Sequence, residues 1–109
     1  MSKITTHVLD TAMGKPAAGI AVALEENRNG LWAPLAASVT DSDGRCRDLV
    51  EDAAAGQYRL TFNTGTYFEK MQRKSLYPEI TITFLCTGEA HYHLPVLLSD
   101  HSYTTYRGS

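Results

Sequence analysis

Alternation of apolar and polar residues with a period of two recurs along almost the whole chain, in short segments separated by turn-forming residues. In one of the clearest segments, Tyr58, Leu60 and Phe62 alternate with Arg59 and Thr61. This period is typical of a β-strand that buries one face. Seven or eight such strands are predicted, and they cover residues 4–9, 20–24, 31–40, 46–50, 58–62, 80–84, 91–99 and 102–107.

The connections between these segments favour a sandwich over an alternating α/β fold. Asn29-Gly30 is a strong hairpin signal between the second and third strands, and Pro34 places the third strand at a sheet edge or on a bulge. The alternation lapses over residues 64–74, where Thr66 and Glu69 have the spacing of a helix capping box. Because an α/β fold needs helices of about ten or more residues between its strands, we expect two packed antiparallel sheets and one short helix.

The composition fits a single domain that spans residues 1–109. The formal charge of −2 and the lack of a basic block argue against nucleic-acid binding. The longest apolar stretch, residues 19–24, is too short to span a membrane, and the start has no apolar signal-peptide segment. We therefore expect a cytoplasmic protein with no nucleic-acid or membrane partner, and the two cysteines, Cys46 and Cys86, are expected to stay reduced.

Four histidines, His7, His91, His93 and His101, are the side chains best suited to proton transfer near neutral pH. His91 and His93 are two residues apart on a predicted strand, so both imidazoles face the same side of the sheet. From the residues alone, three interpretations of this pair stay open: ordinary surface or core positions, proton transfer, and a metal site.

Arg45 and the chain end carry the remaining reactive groups. Arg45 follows a predicted turn at Asp43-Gly44, where its guanidinium either meets an anion or a carbonyl group or is simply solvated. The last predicted strand ends with Tyr106 and Arg107, and Ser109 is the final residue, whereas chain ends are usually frayed. If this end is held in place, the tyrosine, the arginine and a terminal serine with its free carboxylate come together.

Several separated motifs together resemble the transthyretin-related proteins, the family of the 5-hydroxyisourate hydrolases. They are Thr5-Thr6-His7-Val8-Leu9-Asp10, Asp41-Ser42-Asp43-Gly44-Arg45, His91-Tyr92-His93-Leu94-Pro95-Val96-Leu97-Leu98-Ser99 and Ser102-Tyr103-Thr104-Thr105-Tyr106-Arg107-Gly108-Ser109. The resemblance covers essentially the whole chain, and the final Tyr-Arg-Gly-Ser is its most specific part because the hormone-carrying transthyretins lack it. One departure is Asp100-His101, where the family usually has Pro followed by an aromatic or small residue.

The resemblance implies an all-β, transthyretin-like (prealbumin-like) sandwich of two antiparallel four-stranded sheets with one short helix. It also implies a homotetramer, a dimer of dimers with sites at the subunit interface, and no metal or other cofactor. The implied reaction is hydrolysis of 5-hydroxyisourate to 2-oxo-4-hydroxy-4-carboxy-5-ureidoimidazoline in urate degradation.

By motif, the resemblance assigns catalysis to His7, Arg45, His93 and Ser109, and substrate binding to His7, Arg45, Tyr106 and Arg107. We expect the two histidines to activate a water molecule that attacks a ring carbonyl. Arg45 is expected to stabilise the oxyanion, and Ser109 to orient Arg45 or a histidine. The resemblance gives His91 no role.

Two alternatives remain at this point. A non-catalytic carrier of the transthyretin type would share the fold, but its channel needs apolar and hydroxyl groups where this chain has His7, Arg45 and His93. A metal-binding module would use His91 and His93, with His7 or His101 as a further ligand.

Overall fold

The computed structural model describes residues 1–109, which form nine strands and one helix. The strands are β1 (Ser2–Asp10), β2 (Lys15–Pro16), β3 (Ala21–Arg28), β4 (Leu31–Val39), β5 (Arg45–Ala53), β6 (Gly56–Phe62), β7 (Ile80–Cys86), β8 (His91–Leu98) and β9 (Tyr103–Thr105), and the helix α1 (Thr64–Lys70) lies between β6 and β7. All eight predicted strands are present with shifted ends. The additional strand, β2, has only two residues and is too short to show a period.

The first sheet is built around β1, which pairs with β8 along one edge and with both β5 and β2 along the other. β9 pairs with β8 and forms an outer edge. Because β2 and β5 lie along the same edge of β1, the sheet has five strands but is four strands wide. The predicted two-sheet sandwich with one short helix is confirmed, but this sheet differs from the expected antiparallel four-stranded sheet in two ways. It has a fifth strand, the two-residue β2, and its strands β1 and β8 run parallel. Alternation shows which face of a strand is buried but not the direction of its neighbour, so it does not reveal this pairing.

The second sheet is antiparallel throughout, in the order β4-β3-β6-β7. Pro34 lies in the edge strand β4, beside a register shift opposite Leu24 and Glu25. An edge strand and a bulge both tolerate a residue that has no N–H, so both parts of the prediction for Pro34 are confirmed. Asn29 and Gly30 join β3 to β4 with φ angles of 56° and 89°, as a two-residue hairpin turn requires.

The helix α1 is present as predicted, but its N-cap is a different residue. Its seven residues follow Asn63, whose side chain accepts a hydrogen bond from the Thr66 N–H. The capping box predicted for Thr66 and Glu69 is therefore wrong, because Asn63 satisfies the free N–H groups one turn earlier and Thr66 lies inside the helix. No helix has the length and apolar surface needed to cross a membrane.

One core of 20 buried hydrophobic residues lies between the two sheets. In β1, Ile4 and Val8 are fully buried in it. Because side chains alternate along a strand, the odd-numbered residues of β1 face away from the core, on the outer side of the first sheet. This outer face carries the candidate site.

An ion-paired cluster fastens the end of β1 to the segment after α1. Arg73 donates a hydrogen bond to Asp10 Oδ2 at 2.6 Å and also pairs with the carboxylate of Asp100. Tyr67 donates its hydroxyl hydrogen to the same Asp10 oxygen at 2.7 Å. Burial of Asp10 opposes its ionisation, but the hydrogen bonds from Arg73, Tyr67 and the Met13 N–H hold the pKa of Asp10 below its ordinary value.

Candidate active site

The outward face of β1 carries polar side chains. Lys3, Thr5 and His7 occupy the positions between residues that fill the core, such as Ile4 and Val8. Thr5 is nevertheless only 5% exposed, because side chains of the neighbouring strand cover it. The sequence pattern thus places three hydrogen-bonding or ionisable groups in a row on one side of the sheet.

The neighbours of β1 bring an arginine and two histidines to this face. In the antiparallel pairing with β5, His7 lies opposite Arg45. In the parallel pairing with β8, Thr5 lies opposite His93, and His91 comes two residues before His93. Because cross-strand partners share a face, three segments that are distant in the sequence meet here.

The end of the chain docks against β8. The Gly108 N–H donates a hydrogen bond to the His93 carbonyl oxygen at 2.7 Å. The approach is so close that a Cβ atom on Gly108 would lie 2.6 Å from His93 Cδ2 and 3.2 Å from Pro95 Cγ. Ser109 is thereby placed beside His93 in the same cleft.

These segments line a cleft of about 250 Å³ on the outer side of the first sheet. None of its eight lining residues is hydrophobic; they are Lys3, Thr5, Thr6, Arg45, Arg47, His91, His93 and Ser109. A lysine and two arginines line it without any carboxylate side chain, although the whole chain has a formal charge of −2. A cleft of this kind favours a polar ligand that is anionic or rich in carbonyl oxygens.

His7 borders the cleft, and its hydrogen bond determines its tautomer. Its Nε2 atom lies 2.8 Å from the carbonyl oxygen of Asp43. A carbonyl oxygen only accepts hydrogen bonds, so Nε2 carries the proton. In neutral His7, therefore, Nδ1 is the ring atom able to accept a proton.

The environment of His93 keeps its imidazole neutral. Burial is the largest cause of a lowered pKa of His93, followed by the positive charge of Arg45 and then by His91 and His7. A histidine acts as a general base only in its neutral form. His93 is therefore the cleft residue best prepared to take a proton near neutral pH.

Tyr106 and Arg107 lie beside this cleft and not in its lining. The Arg107 guanidinium carbon is 5.0 Å from the centroid of the Tyr92 ring. Both residues line an apolar groove along β7 and β8. They also border a second depression together with His91 and Ser109. Within one chain, the structure thus brings His7, Arg45, His93 and Ser109 together and leaves Tyr106 and Arg107 at the margin.

Four residues line the cleft although their sequence motifs predicted no role for them: Lys3, Thr5, Thr6 and Arg47. Thr5 Oγ1 lies 2.7 Å from His91 Nε2 and 2.7 Å from His93 Nδ1. The alternation in β1 was the available signal, because it puts Thr5 on the same face as His7. No three His, Cys, Asp or Glu side chains are grouped as metal ligands.

The sequence matches the model of the HIUase/Transthyretin family over residues 4–108. The chain belongs to this family. Among its relatives, the 5-hydroxyisourate hydrolase of Mus musculus is 43% identical over 99% of this chain and 96% of its own length. The structure of Klebsiella pneumoniae 5-hydroxyisourate hydrolase superposes with a TM-score of 0.90 at 39% identity and covers 100% of both chains.

A transthyretin shares this fold as well. Sea bream transthyretin in complex with thyroxine has a TM-score of 0.93 at 30% identity, over 97% of this chain and 94% of that one. The hydrolase structure and the transthyretin structure therefore fit the backbone about equally well. Because the hydrolase and the transthyretin share one fold, the function of this family member has to be inferred from the side chains of its cleft.

Proposed function

We propose that this chain hydrolyses 5-hydroxyisourate to 2-oxo-4-hydroxy-4-carboxy-5-ureidoimidazoline. The observation that carries the proposal is the polar, cationic cleft in which His93, with its lowered pKa, lies beside Arg45 and Ser109. The substrate is suggested by full-length relatives that are named 5-hydroxyisourate hydrolase. A protein that carries an apolar ligand needs a mainly apolar pocket lining instead.

In the proposed reaction, His93 and His7 hold a water molecule against the substrate. Neutral His93 accepts a proton from the water at Nε2, and His7 Nδ1 accepts a hydrogen bond from it. The water oxygen forms a bond to a ring carbonyl carbon, the ring C–N bond breaks, and the freed nitrogen takes up the proton. Both histidines then return to their starting state.

Arg45 has the proposed role of stabilising negative charge. Its guanidinium donates hydrogen bonds to the oxyanion that forms when water adds to the carbonyl. Ser109 lines the same cleft and orients either Arg45 or His93. Tyr106 and Arg107 contact the substrate from the second depression, which they share with Ser109.

The decisive test generates 5-hydroxyisourate from urate with urate oxidase and follows the decay of its ultraviolet absorbance. We expect decay to become faster in proportion to the added protein. An equal amount of His93→Ala protein serves as the control for non-specific effects. Decay at the spontaneous rate, with binding of the compound, would instead indicate a carrier.

We also propose that the chain acts as a homotetramer, a dimer of dimers with sites at the subunit interface. β7 and β9 are outer strands of the two sheets, and the apolar groove lies along β7 and β8. Leu85 and Tyr106 are 63% and 52% exposed there. Exposed strand edges with apolar side chains pair readily with a second copy of the same chain.

Gly108→Ala tests whether the docked chain end matters for the reaction. The added methyl group would lie 2.6 Å from His93 Cδ2, so either the ring or the chain end must move. We expect kcat to fall by about tenfold or more, because displacements near 1 Å in a catalytic site are costly, while the far-ultraviolet circular dichroism stays unchanged. Thr104→Ala, at an exposed position of β9, is the matched control. Parental activity of Gly108→Ala would exclude a role of the docked end.

A further inference from the structure

One buried hydroxyl group lies between the two histidines of β8. Thr5 Oγ1 is 2.7 Å from His93 Nδ1 and 2.7 Å from His91 Nε2, and Thr5 is only 5% exposed. A hydroxyl has a single hydrogen to donate. The two imidazoles are the only hydrogen-bond partners of this buried hydroxyl, so it donates to one of them, and the other donates its own N–H to the Thr5 oxygen.

Two arrangements satisfy this geometry. In the first, Thr5 donates to His93 Nδ1, which places the His93 proton on Nε2 and leaves the ring unable to accept a proton there. In the second, His93 donates from Nδ1 to Thr5, and Thr5 donates to His91 Nε2. Only the second arrangement leaves a lone pair on His93 Nε2, as a general base requires.

The charges in the cleft favour the second arrangement. His93 Nδ1 has its hydrogen-bond partner in Thr5, whereas Nε2 makes no hydrogen bond within the chain. Arg45 of β5 is the charged side chain that acts most strongly on His93, and Lys3 of β1 and Arg47 of β5 line the same cleft. An imidazole directs its lone pair, and not an N–H bond, toward positive charge.

We propose that Thr5 is a positioning residue that fixes His93 in the Nδ1–H tautomer through a hydrogen-bonded chain from His93 to Thr5 to His91. The proposal gives His91 a function, as the acceptor at the end of this chain. It rests on the proposed hydrolase function for its kinetic consequence but not for the tautomer itself. No proton moves along the chain, since the proton taken from water stays on His93 Nε2 until the leaving nitrogen takes it up.

Thr5→Val tests the proposal, because valine has the shape of threonine without the hydroxyl. Long-range ¹H–¹⁵N correlation spectra without substrate report which ring nitrogen carries the proton. We expect the wild-type His93 to show the Nδ1–H form and the variant to show a large share of the Nε2–H form. With substrate, kcat is expected to fall by about tenfold, the equivalent of one neutral hydrogen bond, with little change in KM.

Two comparisons separate positioning from a purely structural role. Thr5→Ser keeps the hydroxyl and should retain both the His93 tautomer and kcat. Thr64→Val removes another buried hydroxyl, which donates to the Tyr77 carbonyl oxygen far from the histidines, and should lower stability without affecting the tautomer. An unchanged His93 tautomer in Thr5→Val would overturn the proposal, whether or not the wild-type protein hydrolyses 5-hydroxyisourate.

A second variant covers the case in which Thr5→Val does not fold. His91 is exposed, so His91→Phe should fold normally while it removes the acceptor at the end of the chain. The Thr5 hydroxyl is then free to donate to His93 Nδ1, and we expect the Nε2–H tautomer to increase and kcat to fall. Retention of the wild-type tautomer in His91→Phe would show that the chain does not control His93. When Thr5→Val folds, combining the two substitutions should lower kcat no further than Thr5→Val alone.

Discussion

Replacing His93 by alanine is expected to lower kcat for 5-hydroxyisourate by about 10²–10⁴-fold, the usual contribution of a general base. The half-buried His93 ring lies on the outer face of the first sheet, so the substitution leaves the hydrophobic core intact. The loss should therefore appear in the rate of substrate decay and not in circular dichroism or in the oligomeric state. Arg45 and Ser109 remain in the cleft and should support the residual activity.

His101→Ala is the matched control, because His101 is an exposed histidine in the turn between β8 and β9. It should keep the parental rate. His93 acts as a base only in its neutral form, and its pKa is lowered. In the wild-type protein, the acid limb of the kcat/KM profile should therefore lie below about pH 6.5, the ordinary pKa of histidine. A His93→Ala protein with unchanged assembly and parental turnover would show that His93 is not the base.

Replacing Arg73 by methionine is expected to lower the free energy of unfolding by about 3 kcal/mol, in the range measured for buried ion pairs that lose one partner. Asp10 is fully buried and would keep only Tyr67 and the Met13 N–H as hydrogen-bond donors. Asp100 would lose its partner as well, but it is partly exposed and can be solvated. Urea denaturation at neutral pH measures the change.

Arg28→Met provides the control for this stability prediction, since Arg28 pairs with Glu26 on the surface with 61% of its side chain exposed. Loss of that pair should cost less than about 1 kcal/mol. If the unpaired carboxylate is the cause, adding Asp10→Asn to Arg73→Met should restore part of the stability. A loss that Asp10→Asn does not relieve would assign the effect to the packing of Arg73 on the Phe68 ring.

The ion-paired cluster of Arg73 with Asp10 and Asp100 also makes the free energy of unfolding depend on pH. In the wild-type protein the pKa of Asp10 is lowered, so its contribution to stability is present above about pH 4 and is lost as the pH falls through the folded-state value. Without Arg73, burial dominates and raises the pKa of Asp10, so stability is lost as the pH rises. The difference in stability between Arg73→Met and wild type should therefore be largest near neutral pH and should shrink in acid.

The alternation of residues predicted the strands because it reflects which side chains meet the core, and that requirement acts on each strand by itself. Pro34 and the Asn29-Gly30 turn were informative for a similar reason, since a missing N–H or a positive φ constrains the backbone locally. The N-cap of α1 was assigned wrongly because Asn63 and Thr66 are both good caps, and their local sequences do not show which of them the helix begins after.

His7, Arg45 and His93 were candidates from the sequence, because each residue type has recognisable chemistry and each motif is local. Their common cleft depends on the parallel pairing of β1 with β8 and on the docking of Gly108 against His93, and both are contacts between distant segments. The ion pairs of Asp100 and Asp10 with Arg73 are likewise tertiary. By itself, then, the sequence determined the strands, the faces they bury and the reactive residues, since these follow from local chemistry. Only the tertiary structure decided that Thr5 lies between two histidines, because strand direction and register depend on packing across the whole chain.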